Sequence, residues 1–416
     1  MKGLELLSPA GDLERLKTAV DFGADAVYFG GEAFSLRSGA GGLSGKDLEE
    51  GLEYAHSRGK SCYMTLNIYA HSGDLAGLRD YLHRIGGCGI DAFLISDPGV
   101  LRIVKDVLPD AELHLSTQAN CTNRESALFW QDQGFKRIVL SRELSLGEIR
   151  EIREVLDPDT ELEAFCHGAM CIAYSGRCLL SSFMTGRYSN KGECAQPCRW
   201  NYSLQEEKRP GEFYPIDEDE RGTYILNSKD LCTIGHIKEM AESGITSFKI
   251  EGRMKTLYYV ATVTRAYRMA LDSYIADPEG WTPREEWMEE LRKASHREFT
   301  TGFYFGNPGA GGQNIDSSGY VRDYMFTGIV VDYDSASGLA LVEQRNKMTV
   351  GETVEIFGAK TPDMSFELKM MKDAETGEPM DSCPHPQQRF LMETPGPVNA
   401  GDMIRRRTAK GEENAI

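Results

Sequence analysis

A chain of 416 residues is too long for one small core and calls for two or three domains. Its 41% apolar and 26% charged content is that of a water-exposed globular protein, and no apolar run reaches the 18 residues of a membrane span. A formal charge of -18 argues against a generic nucleic-acid coat, while leaving room for an RNA enzyme with a local basic patch. The opening MKGLELLSPAGD has too short an apolar part for a secretory signal, so the expected compartment is the cytoplasm. Ten cysteines in a reducing compartment favour metal binding or catalysis over disulfides.

Residues 1–255 alternate short apolar runs with amphipathic segments. The runs are ELLSPA from Glu5, AVYFGG from Ala26, SCYMTLN from Ser61, AFLISD from Ala92, ELHLSTQAN from Glu112, RIVLSRE from Arg137, ELEAFCH from Glu161 and SFKIEGR from Ser247. Helical patterns such as DLERLKTAVDFG lie between them, with Asp12 as a start and Gly23 as a stop. Eight such units predict an α/β fold, a parallel (β/α)8 TIM-like barrel. An open doubly wound sheet is the alternative; SPAGD after the first run is no dinucleotide fingerprint.

The rhythm breaks once, with about 80 residues between the seventh and eighth runs. This cysteine-rich insertion (168–246) follows strand 7 and so belongs at the C-terminal face, where barrel enzymes keep their active sites. Its segment 206–222 reads as a solvated loop. The predicted domains are the barrel with its insertion, 1–280, a helical and loop connector, 281–324, and a small C-terminal all-β barrel domain, 325–416. The arginines 405–407 read as an exposed edge strand guarded by charge, with RNA contact as the alternative.

Strand ends in a barrel aim side chains at its mouth. They supply Ser8, Glu32, Asn67, Asp97, Gln118, Arg142, Glu143, His167, Glu251 and Arg253. Singly, each is explained by a polar cap or a salt bridge. Together they can bind anions, hydrogen-bond a planar ring and move protons. Arg142 and Arg253 suit a carboxylate or phosphate. His167 is the natural acid/base group, with Glu163 and Glu251 as the candidate carboxylates. Asn67 and Gln118 complete the substrate-binding set.

Five cysteines, Cys171, Cys178, Cys194, Cys198 and Cys232, follow irregular spacings, with no pair of CxxC knuckles. Four soft ligands from dispersed loops suit a 4Fe–4S cluster, zinc would use the same ligands, and a free catalytic thiol is a third reading. Cys62, Cys88, Cys121 and Cys383 read as inert.

The stretch Glu163-x-Phe165-x-x-Gly168-Ala169-Met170-Cys171-x-x-Tyr174-Ser175-Gly176-x-Cys178-x-Leu180-Ser181 resembles the signature of the collagenase-like peptidase family U32. GECAQPCRW, SFKIEGRMKTLYYVATVTRAYR and SHREFTTGFYFG match as well, so the similarity covers essentially the whole chain. Within the family the chain looks most like the branch that hydroxylates tRNA. That resemblance implies a 4Fe–4S cluster on Cys171, Cys178, Cys194 and Cys232, with Cys198 the competing neighbour of Cys194. It also implies conversion of the tRNA wobble uridine to 5-hydroxyuridine with prephenate, a dicarboxylate, as oxygen source. The family label adds a peptidase reading, and a zinc-stabilised RNA-binding or assembly factor is the third. No HExxH or GxSxG motif supports proteolysis, and adjacent strand residues such as Cys166 and His167 are expected on opposite faces. The expected partners are tRNA and prephenate, with no membrane and the oligomeric state open.

Overall fold

The computed structural model describes residues 3–35, 42–171, 178–187, 194–199, 204–205, 213–214, 218–219, 222–223, 228–308 and 320–408. Seven strands enter the barrel in order: β1 (Glu5–Pro9), β2 (Ala26–Gly30), β3 (Ser61–Leu66), β4 (Ala92–Ile95), β5 (Leu113–Leu115), β6 (Arg137–Val139) and β7 (Glu161–Ala169). The eighth barrel strand, Ser247–Ile250, pairs in parallel with both β1 and β7 and closes the ring. β2 is buried along its whole length, as strands covered on both faces must be.

The helices between them start where the sequence supplies caps. Asp12 accepts the backbone N–H of Arg15, Asn123 that of Ser126, and Ser145 with Glu148 forms a full capping box. Asp97, a mouth candidate by position, accepts from Gly99 and Val100 and caps the Pro98–Val107 helix instead.

Two additions were not legible in the strand rhythm. The short strand Asp230–Cys232 runs antiparallel to the C-terminal end of β7, setting Cys232 opposite His167. Phe299–Thr300 then pairs with Asp230–Leu231. Parts of the expected solvated loop form short antiparallel pairs, Leu204–Gln205 with Phe213–Tyr214 and Glu218–Asp219 with Gly222–Thr223. The rest of 206–222, and the insertion residues 172–177 and 188–193, lie outside the described residues.

The C-terminal unit is a seven-stranded antiparallel sheet with Met364–Glu367 and Met371–Asp373 at its edges. Val330, Val342, Ile356, Phe390 and Ile404 of different strands meet in one core, so the sheet coils on itself. A second cluster joins the two domains: Phe22, Leu257, Tyr258 and Ala261 of the barrel side meet Phe357 and Met403. Tyr258 stacks on Phe326 with centroids 5.5 Å apart.

Arg405 corrects the edge-strand expectation. Its strand, Met403–Arg407, lies inside the sheet between Tyr324–Asp334 and Thr353–Phe357. Arg405 is fully buried and grips Glu290 of the Glu285–Lys293 helix at 2.9 and 2.8 Å, while also pairing with Glu355. A run of three arginines looks like a surface patch only when its strand neighbours are unknown.

Candidate active site

The barrel lumen is polar at its N-terminal end. Arg137 pairs with Glu5 at 2.6 Å, with Glu161 at 2.6 Å and with Glu163 at 3.2 Å. Glu163 also accepts from Lys249 at 2.5 Å, and both are buried. Burial alone would raise the Glu163 carboxyl, but the charges of Lys249 and Arg137 outweigh it and hold the group below its usual range. Burial likewise pulls Lys249 below the ordinary lysine value, against the charge of Glu163. Both carboxylate oxygens of Glu163 are therefore committed inside the barrel wall. The structure does not bring Glu163 to the mouth.

At the C-terminal end several strand-end residues form polar contacts. Asn67, 5% exposed, donates from Nδ2 to Ser116 Oγ and Gln118 Oε1, each at 3.0 Å. Ser116 also donates to Gln118, and Tyr69 holds the Gln118 carbonyl at 2.7 Å. Arg253, 7% exposed, donates from Nη1 to Ser35 Oγ at 2.8 Å and Thr65 Oγ1 at 3.0 Å. Gly30 leaves the space for this: a Cβ there would lie 2.8 Å from Arg253 Nη1.

Arg142 and Glu251 form the third part of the mouth. They pair at 3.3 Å, and Arg142 Nη1 donates to the Ala169 carbonyl at 2.7 Å. The guanidinium lies 4.0 Å from the centre of the Phe165 ring. Arg142 thus ties the end of β6 to the exit of β7, where the cysteine-rich insertion begins. Its Nε is buried with no acceptor among the described residues.

His167 does not join this group. In β7 the register moves from Phe165 opposite Lys249 to His167 opposite Ile250, leaving Cys166 as the extra residue of a bulge. Simple alternation would put His167 on the lumen side with Glu163 and Phe165. The bulge turns it to the wall, among Tyr259 and Tyr267 of the Leu257–Ala276 helix and Phe299. The ring is 2% exposed, and burial, then the charges of Lys255 and His296, push its pKa down to about 3. A neutral, enclosed imidazole is a poor shuttle for substrate protons.

The remaining strand-end residues are accounted for locally. Ser8 bonds Thr264 at 2.9 Å, Glu32 pairs with Arg84 on the surface, and Glu143 accepts from Ser141. Ser35, Thr65, Ser116 and Tyr69 are mouth residues that strand-end reading passed over. Ser116 and Thr65 sit within one or two residues of named candidates, so their hydroxyls were a usable signal; Ser35 was not, because only the tertiary fold returns it to the mouth.

No disulfide is formed among the ten cysteines. Cys171 and Cys194 are exposed, Cys178 and Cys198 half-buried, and Cys232 buried. Burial, above all, raises the Cys232 thiol to about 11, with the Tyr267 hydroxyl 3.9 Å from its sulfur. A zinc ion on four thiolates holds its sulfurs about 3.8 Å apart. Among the described residues, the metal-type groups whose ligand atoms fall within 4.8 Å of one another are His56–Cys62–Asp91 and Glu290–Glu355–Asp363, neither from the insertion. A 4Fe–4S cube gives each thiolate its own iron and spreads the sulfurs wider, and soft thiolate donors suit either group.

Comparison with known proteins bears on the same residues. Residues 11–314 match the model of Peptidase family U32, and residues 322–405 that of the Peptidase family U32 C-terminal domain. The chain is 40% identical over 402 residues to the tRNA hydroxylation protein P1 of Bacillus subtilis, covering 97% of this chain and 94% of that one. It is 36% identical over 454 residues to the tRNA hydroxylation protein P of Escherichia coli, covering 98% and 97%. The 23S rRNA 5-hydroxycytidine C2501 synthase of Escherichia coli is 39% identical over 274 residues, covering 66% of this chain and 40% of that one.

Proposed function

Because the chain belongs to Peptidase family U32, whose two models together span residues 11–405 with a short gap, we propose that it is an RNA hydroxylase. More narrowly, we read it as converting the wobble uridine of tRNA to 5-hydroxyuridine with prephenate as oxygen donor. The observation that carries this reading is the near full-length similarity to a tRNA hydroxylation protein. In net terms a C–H bond at uridine C5 becomes C–OH, a two-electron oxidation, and the oxygen donor is reduced by two electrons.

The mouth supplies suitable chemistry. Arg142 and Arg253 are buried cations at the open end of the lumen, able to hold the carboxylates of a dicarboxylate donor. Asn67 and Gln118 offer amide groups matched to the edge of a planar base. Glu251 orients Arg142 and keeps the site from carrying an unbalanced pair of cations. Cys171, Cys178, Cys194 and Cys232 are the residues that would hold a 4Fe–4S cluster, with Cys198 in reserve beside Cys194. Such a cluster would supply one-electron chemistry next to the mouth. A cytoplasmic location goes with a tRNA substrate, and no helix among the described residues is long and apolar enough to cross a membrane.

The peptidase reading gains nothing from Cys166 and His167, neighbours in the sequence. Burial holds the Cys166 thiol well above its usual range, and its sulfur lies 3.4 Å from the Lys249 carbonyl. His167 is neutral and enclosed, so neither a thiolate nor a working base is present. The decisive measurement is nucleoside mass spectrometry of tRNA from a strain lacking the gene. Loss of 5-hydroxyuridine, restored by the gene but not by its Arg253→Met form, is expected. An unchanged 5-hydroxyuridine level would sink the assignment.

A further inference from the structure

We propose that a strip of cations and tyrosines running from the barrel mouth onto the C-terminal sheet is where the RNA backbone docks, a reading that rests on the RNA-hydroxylase function above. The chain carries a charge of -18, so cations left without carboxylates are informative. Some surface cations here are answered, as Arg79 is by Asp106 and Arg292 by Glu285. Lys255 and Arg407 share the lack of a carboxylate with exposed cations such as Lys46, Lys105 and Lys369, and differ from them in being held beside tyrosines. Among the described residues neither has a carboxylate within ion-pair distance.

Both cations are placed by tyrosines. Lys255, two residues beyond Arg253 of the mouth, lies 4.4 Å from the centre of the Tyr320 ring and donates to its hydroxyl at 3.4 Å. Arg322 comes to 6.0 Å of the same ring. Arg407 donates from Nε to the Tyr324 hydroxyl at 3.2 Å, and its guanidinium lies 5.6 Å from that ring. Tyr324 and Arg407 are register partners in adjacent strands. Thr408 joins the two halves of the strip, donating to the Asp323 carbonyl at 2.8 Å and the Arg322 carbonyl at 2.7 Å.

The pattern fits a phosphodiester chain better than an acidic peptide. Phosphates are attracted by any cation, and the tyrosine hydroxyl beside each cation adds a second polar group for a phosphate oxygen, while the ring faces already carry Lys255 and Arg297 on Tyr320 and Arg407 on Tyr324. The strip starts at the mouth, so a strand lying along it delivers one nucleotide to Arg142 and Arg253. The C-terminal domain then acts as the arm that holds the rest of the substrate, and the Arg405–Glu290 and Tyr258–Phe326 contacts keep that arm at a fixed distance from the barrel.

The test uses the full-length protein and a labelled tRNA transcript, with Kd measured across a salt series. The Lys255→Gln/Arg407→Gln double variant is expected to bind roughly tenfold more weakly at low salt. Its slope of log K against log salt should be shallower by about 1.5, the loss of two phosphate contacts. Arg79→Gln serves as a distant control and keeps both values, and unchanged thermal midpoints verify the fold of each variant. If the wild type binds tRNA and the double variant keeps the same Kd and slope, the strip is overturned while the RNA reading stands. If the wild type neither binds nor hydroxylates tRNA, both fall. Displacement of tRNA by poly-glutamate of equal charge at equal concentration would overturn the assignment to RNA.

Discussion

Substituting Gly168 by alanine tests the link between backbone and mouth. Gly168 sits in β7 at φ +111°, a conformation that L side chains rarely adopt. A Cβ there would stand 2.5 Å from the Glu251 carbonyl oxygen and 2.9 Å from the Glu251 Cβ. Two costs therefore add: the backbone conformation, and displacement of Glu251 with its Arg142 partner. Gly59 separates them, because it has φ +67° and nothing within 4 Å of its would-be Cβ. Gly59→Ala should cost about 1–2 kcal/mol from conformation alone. Gly168→Ala should cost about 3 kcal/mol or more, since a backbone carbonyl cannot swing aside as a flexible side chain does. Thermal unfolding reads the difference as a lower midpoint, by roughly 2–4 °C per kcal/mol for a domain of this size. RNA hydroxylation should fall in Gly168→Ala and stay intact in Gly59→Ala. Equal stability losses, or full activity in Gly168→Ala, would refute the claim that this glycine exists to let Glu251 pass.

The other predictions concern the interdomain contact, the metal and the mouth. Arg405→Ala leaves Glu290 buried without its main partner and should cost about 3–5 kcal/mol, seen as early proteolytic release of the C-terminal domain. Glu290 itself has opposing influences: burial raises its pKa, but Arg405 more than offsets that and holds it below the usual value. The contact is therefore stabilising above the unfolded value of about 4.3 and weakens as pH falls through the lower folded one. The stability gap between wild type and Glu290→Gln should accordingly shrink below about pH 4; a gap constant with pH would contradict the ion pair. Protein purified without oxygen should contain iron and sulfide. Serine at Cys171, Cys178, Cys194 or Cys232 should remove them, while Cys198→Ser keeps them; stoichiometric zinc in place of iron would overturn the cluster. Arg253→Met should retain the wild-type thermal midpoint to within a few degrees and lose about a hundredfold or more in kcat/KM for RNA, and a loss confined to stability would make Arg253 structural.

Much of the barrel was legible because its signals are local. Each apolar run between cap and turn became a strand that starts on the expected residue, or one later at Leu113, down to the closing strand at Ser247. The mouth was half legible. Asn67 does pair with Gln118 and Arg142 with Glu251, and Arg253 lies at the same end of the barrel, since the end of a parallel strand always faces the same way. Glu163 misled because its side of the strand says nothing of depth, and Lys249 and Arg137 wait for it further down the lumen. Asp97 misled because a helix cap and a mouth carboxylate look alike at the end of a strand.

The sequence by itself determined the alternation of strand and helix, the place of the insertion after β7 and the set of thiols available in it. These follow from periodicity, capping and composition, which any short window of chain carries. Only the tertiary structure decided where His167 points and what Arg405 holds. A single extra residue in the β7 ladder sends His167 out of the lumen, and its effect depends on the register of a strand some 80 residues away. Arg405 became an interdomain clasp because a helix from the other domain brings Glu290 to it. Register and docking are pairings between distant segments, and no local pattern records which partner a residue will meet.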